Sequence, residues 1–438
     1  MARCHGCVTS SALVVITAAV FAWGAFSARL ERADVTAPIA FVGVGAALAA
    51  LFRFGAETEP GVVKALTEAT LVWVLFSDAA RVGVRELRND AGVYGRLLGM
   101  ALPLTVLLGA LGAWWVLGVS SPWIALLIGA ALAPTDAALG AVVIVHPAVP
   151  LRIRRILNVE SGLNDGIVTP VVVVALAGAS AAEGHGDITV LSAASQLVGG
   201  ALIGAALGAA GGWLLRVGNR RGWVEENFAG PAVLALALLA YVGALAGHAN
   251  GFVAAFAGGI AFGHVAGRGG PREVFYVEQT AGLASLLVWT LVGAVAVPLL
   301  YGNLDWQTVL YAVLSLTAIR MIPVALCLAG SGLGRRTALF VGWFGPRGLA
   351  SVVFALLAVE ELGAEAEPAV AVIVLTVLLS VLAHGLTAGP LAVRYGAHAP
   401  QAEAVFPGQP APAARLARST GGSDLGTPAS VAKDSSTP

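Results

Sequence analysis

Three short segments place carboxylate, amide, hydroxyl and guanidinium groups inside long apolar stretches of the chain. They are Ala-Pro-Thr-Asp at 133–136, Glu-Ser-Gly-Leu-Asn-Asp-Gly at 160–166 and Gly-Pro-Arg-Gly at 345–348. On a helix, the spacing in the second segment stacks Ser161 with Asp165, and Glu160 with Asn164. Oxygen-bearing groups of this kind suit a small hard cation. A buried polar network that only joins helices would present the same groups.

The first and third segments place proline beside a charge. Pro134 is followed by Thr135 and Asp136, and Pro346 is followed by Arg347. Proline removes a helical hydrogen bond, and an interrupted helix beside a carboxylate can offer backbone oxygens to a cation. A plain proline kink, in which Asp136 caps the freed amide groups, is the alternative interpretation.

The elements that carry these segments are predicted to be membrane-spanning helices. The chain has 438 residues, of which 58% are hydrophobic and 11% charged, and its mean hydropathy is +0.85. A soluble domain carries about 25% charged residues, and the formal net charge of zero offers no basic field for nucleic acid. Cys4, His5 and Cys7 are too few for a zinc site. This composition excludes a soluble enzyme, a nucleic-acid binder and a disordered scaffold, and it predicts an all-α polytopic membrane protein.

Thirteen apolar stretches approach the length of about 20 residues that a bilayer requires. They lie at 9–28, 37–54, 62–80, 92–118, 122–146, 152–180, 189–215, 229–247, 250–267, 274–300, 306–330, 337–359 and 367–393. Basic residues cluster in every second loop, with Arg53 and Lys64 as exceptions. This alternation predicts an external N-terminus and a cytoplasmic C-terminus. Residues 1–396 would form the transmembrane domain, and the Pro-, Ala- and Ser-rich segment 397–438 is predicted to be a disordered cytoplasmic tail.

Charged side chains inside the spans are the main sequence evidence for function. Each costs at least about 2.5–3.5 kcal/mol at bilayer depth. The embedded charges are Asp78, Asp136, Glu160, Asp165, Glu278, Arg320 and Arg347. Two arginines cannot neutralise five acids, so some carboxylates must be protonated, hydrated or bound to a cation. We leave Glu278 out of the site because it lies near a span end.

Spans 5 and 12 carry the two proline segments and lie seven spans apart, so they enter the membrane from opposite sides. Two interrupted helices at corresponding places are typical of inverted-repeat transporters. We therefore expect spans 1–6 and 8–13 to form two inverted six-helix repeats, joined by span 7.

The three segments, in this order, resemble the monovalent cation:proton antiporter family, which includes the sodium/proton exchangers. The resemblance extends to Leu-Phe-Ser-Asp-Ala-Ala at 75–80 and to Ala-Ile-Arg at 318–320. It implies a thirteen-span homodimer in the plasma (inner) membrane, with crossed, interrupted helices 5 and 12 and an elevator-like core. It also implies no cofactor and no enzymatic reaction.

The resemblance also implies a binding site. Asp165 would bind either the cation or the proton, Asn164 would be its structural neighbour, and Ser161 and Thr135 would be ligands of the cation. Asp78, at a span-3 position where many members carry a longer glutamate, is included in the site.

Four further residues would form a structural charge network. By the same resemblance, Glu160 would pair with Arg320, while Asp136 and Arg347 would neutralise the facing ends of the half-helices. The Asn-Asp pair of the second segment implies electroneutral exchange of one cation for one proton, with Na⁺ expected and K⁺ or Li⁺ as alternatives.

Elementary electrostatics predicts the same mechanism. Low dielectric disfavours a bare carboxylate, so a proton and a cation compete for its oxygens, and either occupant makes the carrier mobile.

Three other function classes are alternatives. A cation channel lacks support because no filter sequence repeats. An intramembrane aspartyl protease could use Asp136 and Asp165, but no Gly-x-Gly-Asp segment is present. For a structural or sensing protein, five embedded acids would be a needless cost.

Overall fold

The structure, a computed structural model, describes residues 5–31, 35–52, 60–82, 87–88, 90–182, 190–267 and 271–398. Every regular element in these ranges is helical. The helices are α1 (His5–Glu31), α2 (Ala37–Phe52), α3 (Pro60–Arg81), α4 (Ala91–Val116), α5 (Pro122–Ala131), α6 (Ala141–Val145), α7 (Leu151–Ala182), α8 (Val190–Arg221), α9 (Glu226–Ala246), α10 (Gly251–Ala266), α11 (Pro271–Leu291, continued by Val297–Asn303), α12 (Trp306–Leu316), α13 (Ala318–Leu328), α14 (Arg335–Trp343), α15 (Leu349–Leu362) and α16 (Glu367–Gly396). Cys4, Arg53 and the predicted tail beyond His398 lie outside the described residues.

The predicted all-helical membrane class is confirmed. Within the described ranges, eight helical stretches are long and apolar enough to cross a membrane, and three shorter apolar helices accompany them. The count of thirteen spans and the inverted repeats stay predictions.

Helical interruptions occur at the two predicted proline segments. α5 ends at Ala131 and α6 begins at Ala141, so nine non-helical residues interrupt the predicted span 122–146. In the same way, α14 ends at Trp343 and α15 begins at Leu349. The structure adds an interruption that the sequence analysis lacks. Residue Thr317 separates α12 from α13 and divides the predicted span 306–330.

The helices pack as two bundles. The first bundle contains α2, α3 and α8–α11, and the second contains α4–α7 and α12–α16. They meet where α3 packs against α7 and α15, and where the end of α11 packs against α16. Both interrupted helices and α7 belong to the second bundle, which therefore positions all three of the polar segments.

Close helix packing in the first bundle depends on glycine. Gly45 of α2 faces the backbone of Thr290 and Ala294 in α11, and Gly293 in turn faces the Val42 carbonyl. A Cβ at either glycine would overlap these atoms. Small residues let helices approach this closely in lipid, where dispersion contacts replace the hydrophobic driving force.

Lys64, one of the two exceptions to the charge alternation, lies in the first turns of α3. Its Nζ is 3.2 Å from Glu360 Oε1 and 3.3 Å from Glu361 Oε1, both at the end of α15. Acidic partners therefore balance this lysine on the side of the molecule that is predicted to be external, and they join α3 to α15 across the two bundles.

Candidate functional site

The first break is the non-helical segment 132–140 between α5 and α6, and the second break is the segment 344–348 between α14 and α15. The backbones of the two breaks are joined by a hydrogen bond. Asp136 N–H donates to the Pro346 carbonyl at 2.8 Å. The Asp136 carboxylate accepts from Leu349 N at 3.1 Å through Oδ2, and from Ala138 N at 2.7 Å through Oδ1. Leu349 begins α15, so Asp136 places negative charge at the positive end of a helix dipole. Gly348 leaves room for this carboxylate, since a Cβ there would overlap it.

Arg347 makes the opposite connection. Its fully buried guanidinium donates from Nη1 to the Ala133 carbonyl at 3.0 Å and to the Pro134 carbonyl at 3.3 Å. Nη2 reaches the Ser315 carbonyl of α12 at 3.5 Å. The two break carbonyls lie just beyond the end of α5, where a positive charge is favourable. The structure thus brings Asp136 and Arg347 together. Asp136 faces the beginning of α15, and Arg347 faces the end of α5.

Glu160 of α7 and Arg320 of α13 form a buried ion pair. Arg320 Nη2 lies 2.5 Å from Glu160 Oε1, and both side chains are 1% exposed. Glu160 Oε2 and Arg320 Nη1 have no hydrogen-bond partner among the described residues. A pair this buried needs both members, because removing one leaves an uncompensated charge.

Polar side chains of the first break and α7 form a cluster beside these charges. Asn164 Nδ2 donates to Thr135 Oγ1 at 2.7 Å, and Thr135 Oγ1 lies 2.9 Å from Ser161 Oγ. All three side chains are buried. Asn164 Oδ1 accepts no hydrogen bond from the described part of the chain, so it remains available as an oxygen ligand.

Asp165 is 4% exposed, on α7 next to this cluster. Its backbone carbonyl accepts from Thr169 Oγ1 at 2.7 Å, but no described residue donates a hydrogen bond to its carboxylate. The nearby Asp136 carboxylate repels it further. Burying an ionised carboxylate without a partner is costly, so a proton or a cation would stabilise the Asp165 carboxylate strongly.

Asp78 of α3 enters the site region from the first bundle. The residue is 7% exposed, and its backbone carbonyl and Cβ lie about 4 Å from the place of a Cβ on Gly162. Gly162 precedes Asp165 by less than one helical turn on α7. Asp78 therefore packs against the helix that carries the candidate carboxylate.

The sequence matches the family model of the transmembrane sodium/hydrogen exchanger over residues 15–394. The chain belongs to the sodium/hydrogen exchanger family. This confirms the resemblance expected from the motifs, and the family is one of transporters rather than enzymes.

A curated relative agrees with this assignment. The chain is 26% identical over 307 residues to the K(+)/H(+) antiporter NhaP of Alkalimonas amylolytica, and the matched region covers 68% of this chain and 51% of that protein. The chain therefore spans about half the length of this curated relative.

Two structures of the sodium proton antiporter MjNhaP1 from Methanocaldococcus jannaschii share the fold. In the first, determined at pH 8, the TM-score is 0.71 at 18% identity, and the match covers 89% of this chain and 99% of that one. The second, an electron-microscopy map, gives a TM-score of 0.66 at 18% identity, and the match covers 88% of this chain and 97% of that one.

Two polar residues of α16 contact the second break, and neither is among the residues predicted for the site. Ser380 Oγ accepts from Arg347 N at 2.7 Å, and His384 Nε2 lies 2.8 Å from the Trp343 carbonyl. The sequence signal that could have found them is a serine and a histidine four residues apart inside an apolar span.

Proposed function

We propose that the chain is a secondary active transporter that exchanges a monovalent cation for a proton by alternating access. Asp165 carries this proposal, because its buried carboxylate has no hydrogen-bond donor among the described residues. Such a group stabilises whichever positive species reaches it. Na⁺ is the proposed cation, with K⁺ and Li⁺ as alternatives, and the similar proteins include both a sodium and a potassium antiporter.

Coupling follows from competition at one carboxylate. A proton or a cation neutralises Asp165, whereas the empty ionised form would carry a bare charge across the barrier at high cost. The loaded forms can therefore move and the empty form cannot. One cation exchanged for one proton leaves the net charge unchanged, so we infer electroneutral 1:1 exchange.

The remaining ligands come from the cluster around the first break. Thr135 and Ser161 supply hydroxyl oxygens. Asn164 holds Thr135 in place, and no described residue donates a hydrogen bond to its Oδ1. Asp78 approaches from α3 and is assigned to the same cation and proton site. Oxygen ligands of this mixed kind suit a hard monovalent cation.

We infer that the transporter works as a homodimer in the plasma (inner) membrane, with an external N-terminus and a cytoplasmic C-terminus. The charge alternation between loops supports the orientation. Lys64 is an exception to that alternation, but it is paired with two acids. Because these acids balance its charge, the lysine does not count against this orientation.

The protease alternative has little support. Asp136 accepts backbone N–H groups with both carboxylate oxygens, so it is occupied as a helix cap. Asp165 forms no hydrogen bond with it. A general acid–base pair of carboxylates would instead share a proton across a short contact.

The test is cation-driven proton movement in proteoliposomes that hold the wild-type protein or Asp165→Asn. With the membrane potential clamped, adding Na⁺, K⁺ or Li⁺ should collapse an imposed pH gradient in the wild type and leave it intact in the variant. Glu226→Gln, an exposed carboxylate paired with Arg272, is the matched control and should behave as wild type.

Two outcomes would reject the proposal. Cation flux without coupled proton movement would instead indicate a channel. If folded wild-type protein moves neither ion, the chain is not an exchanger of these cations.

A further inference from the structure

The break between α14 and α15 is held from α16 by a buried histidine. His384 is 2% exposed, and its Nε2 lies 2.8 Å from the carbonyl oxygen of Trp343, the last residue of α14. A carbonyl only accepts hydrogen bonds, so this contact is a hydrogen bond when Nε2 carries the hydrogen. The imidazole therefore binds the end of α14, where helical carbonyls lose their intrahelical partners.

A second side chain of α16 binds the middle of the same break. Ser380 lies one turn before His384, and its Oγ accepts the Arg347 N–H at 2.7 Å. Together the two side chains bind Trp343, which directly precedes the non-helical segment 344–348, and Arg347 within it. Arg347 is the residue whose guanidinium reaches the first break, so this attachment also orients the crossing.

The second ring nitrogen has a partner in either protonation state. His384 Nδ1 lies 2.8 Å from the Ser380 carbonyl and 3.2 Å from Ser380 Oγ. Nδ1 donates to the carbonyl when protonated, and it accepts from the hydroxyl when it is not. The charged groups that act on the ring are Arg347 and Arg320. In the neutral ring a hydrogen on Nε2 satisfies both nitrogens, because Nδ1 then accepts from the Ser380 hydroxyl. A hydrogen on Nδ1 would leave Nε2 facing a carbonyl without a donor. The Nε2–H bond to Trp343 is therefore kept in the neutral and in the protonated ring.

Aromatic packing keeps the imidazole in place. The Trp343 ring stacks on it with a centroid distance of 5.1 Å and an interplanar angle of 28°. The Phe344 ring lies edge-on to the imidazole at a centroid distance of 6.3 Å. The Trp343 indole also donates from Nε1 to Thr387 Oγ1 at 3.1 Å, one turn further along α16. The ring of His384 is therefore confined between the break and α16.

We propose that His384 is a positioning residue for cation binding, and this inference rests on the exchange function proposed above. Its Nε2–H fixes the Trp343 carbonyl, which sets the path of residues 344–348. That path carries the Pro346 carbonyl to Asp136 N–H and the Arg347 guanidinium to the first break. The first break carries Thr135, so the loss of His384 weakens cation binding without removing any cation ligand.

The experiment compares His384→Leu, His384→Gln and Thr387→Val with the wild type. Leucine fills the space without a donor, and glutamine offers an amide N–H that can reach the Trp343 carbonyl. Thr387→Val is the matched control. It removes the hydrogen bond to the indole of the same tryptophan, and that bond does not involve the backbone of the break. Ser380→Ala supplies a second test if His384→Leu fails to fold.

Two readouts are measured on each purified protein. The first is the half-saturating cation concentration of proton-coupled uptake in proteoliposomes. We expect His384→Leu to raise it about tenfold, the equivalent of about 1.4 kcal/mol, with the maximal rate changed less than about threefold. His384→Gln and Thr387→Val should stay close to wild type, and His384→Gln should keep the wild-type pH profile. The second is deuterium uptake by the backbone of 344–348, which should rise in His384→Leu and Ser380→Ala alone.

These readouts separate the two proposals. If wild-type protein exchanges no cation, the proposed function fails, while deuterium uptake still tests the attachment of the break. If leucine and glutamine variants have equal half-saturation, or if deuterium uptake of 344–348 does not rise in the folded leucine or alanine variant, His384 only fills space and the positioning role is wrong.

Discussion

Asp136 and Arg347 each bind the backbone of the segment that carries the other. The Asp136 carboxylate accepts from Leu349 N, two residues beyond Arg347, and the Arg347 guanidinium donates to the Ala133 and Pro134 carbonyls. Each charge therefore satisfies orphan backbone groups that the opposite break creates. The two interruptions stabilise each other, and neither side chain can be changed without exposing the other half-helix.

This reciprocity predicts that Asp136→Asn and Arg347→Gln both destabilise the folded protein. An asparagine has one acceptor oxygen, so either Leu349 N or Ala138 N loses its buried partner at a cost of about 1–3 kcal/mol. Thermal unfolding in detergent should show a lower Tm for both variants. Asp90→Asn, which changes a carboxylate paired with Arg152 outside the breaks, should change the Tm less. Equal shifts for Asp90→Asn and Asp136→Asn would contradict the reciprocal caps.

The Glu160–Arg320 pair should behave as one unit. Removing either partner leaves the other charge buried, so Glu160→Gln and Arg320→Gln should each cost about 3–5 kcal/mol. The double variant has no orphaned charge and should be more stable than the sum of the single changes implies. The measurement is a double-mutant cycle on thermal or denaturant unfolding. Additive losses would mean that the two groups do not stabilise each other.

The pH dependence of transport should have the sign of direct competition. Lower pH protonates Asp165 and removes cation-binding sites, so the half-saturating cation concentration should rise as the pH falls, by about tenfold per unit in the acidic limit. At high pH it should become constant. Initial uptake rates over a matrix of pH and cation concentration measure this. A half-saturation that stays constant while the maximal rate falls would place the transported proton on another group.

Because α2 packs closely on α11, we expect alanine substitution to have very different effects on the Tm at two glycines of α2. Gly45 faces the Thr290 backbone, whereas a Cβ on Gly43 would meet no atom within 4 Å. Gly45→Ala should therefore lower the Tm or prevent folding, because backbone must move. Gly43→Ala should leave the Tm unchanged or slightly higher, since alanine favours helix over glycine by about 0.5–1 kcal/mol. Equal tolerance at both positions would show that α2 does not pack on α11 in this way.

Local chemistry explains which features the sequence could predict. Pro134 and Pro346 cannot donate helical hydrogen bonds, and each lies beside a charge inside an apolar run, so both interruptions are visible in the sequence. The positions of Asp165, Asn164 and Ser161 on a single helix follow from spacing alone. The pairing of Glu160 with Arg320 depended on the family resemblance, because 160 residues separate them.

The features that the sequence could not predict depend on tertiary contacts. Thr317 divides one span without a proline or glycine to mark it. His384 lies among apolar residues of α16, and nothing nearby in the chain indicates that its partner is the Trp343 carbonyl, 41 residues away. The π-helical turns Leu97–Ala101 and Val292–Ala296, by contrast, each end two residues before a proline, Pro103 and Pro298. A proline removes a helical hydrogen bond, so these two turns have a local cause in the sequence.

Thr135 allows a test of which oxygens bind the cation. Its hydroxyl accepts from Asn164 Nδ2 and contacts Ser161 Oγ, so Thr135→Val removes one proposed ligand and leaves a buried amide donor without its partner. Thr135→Ser keeps the hydroxyl and serves as the control. We expect the half-saturating cation concentration to rise about tenfold in Thr135→Val, consistent with a loss of about 1–3 kcal/mol for an unpaired buried donor, and to change little in Thr135→Ser. If the valine variant instead binds and exchanges as the wild type does, the hydroxyl is no ligand, and the Thr135 contribution is restricted to its backbone carbonyl at the break.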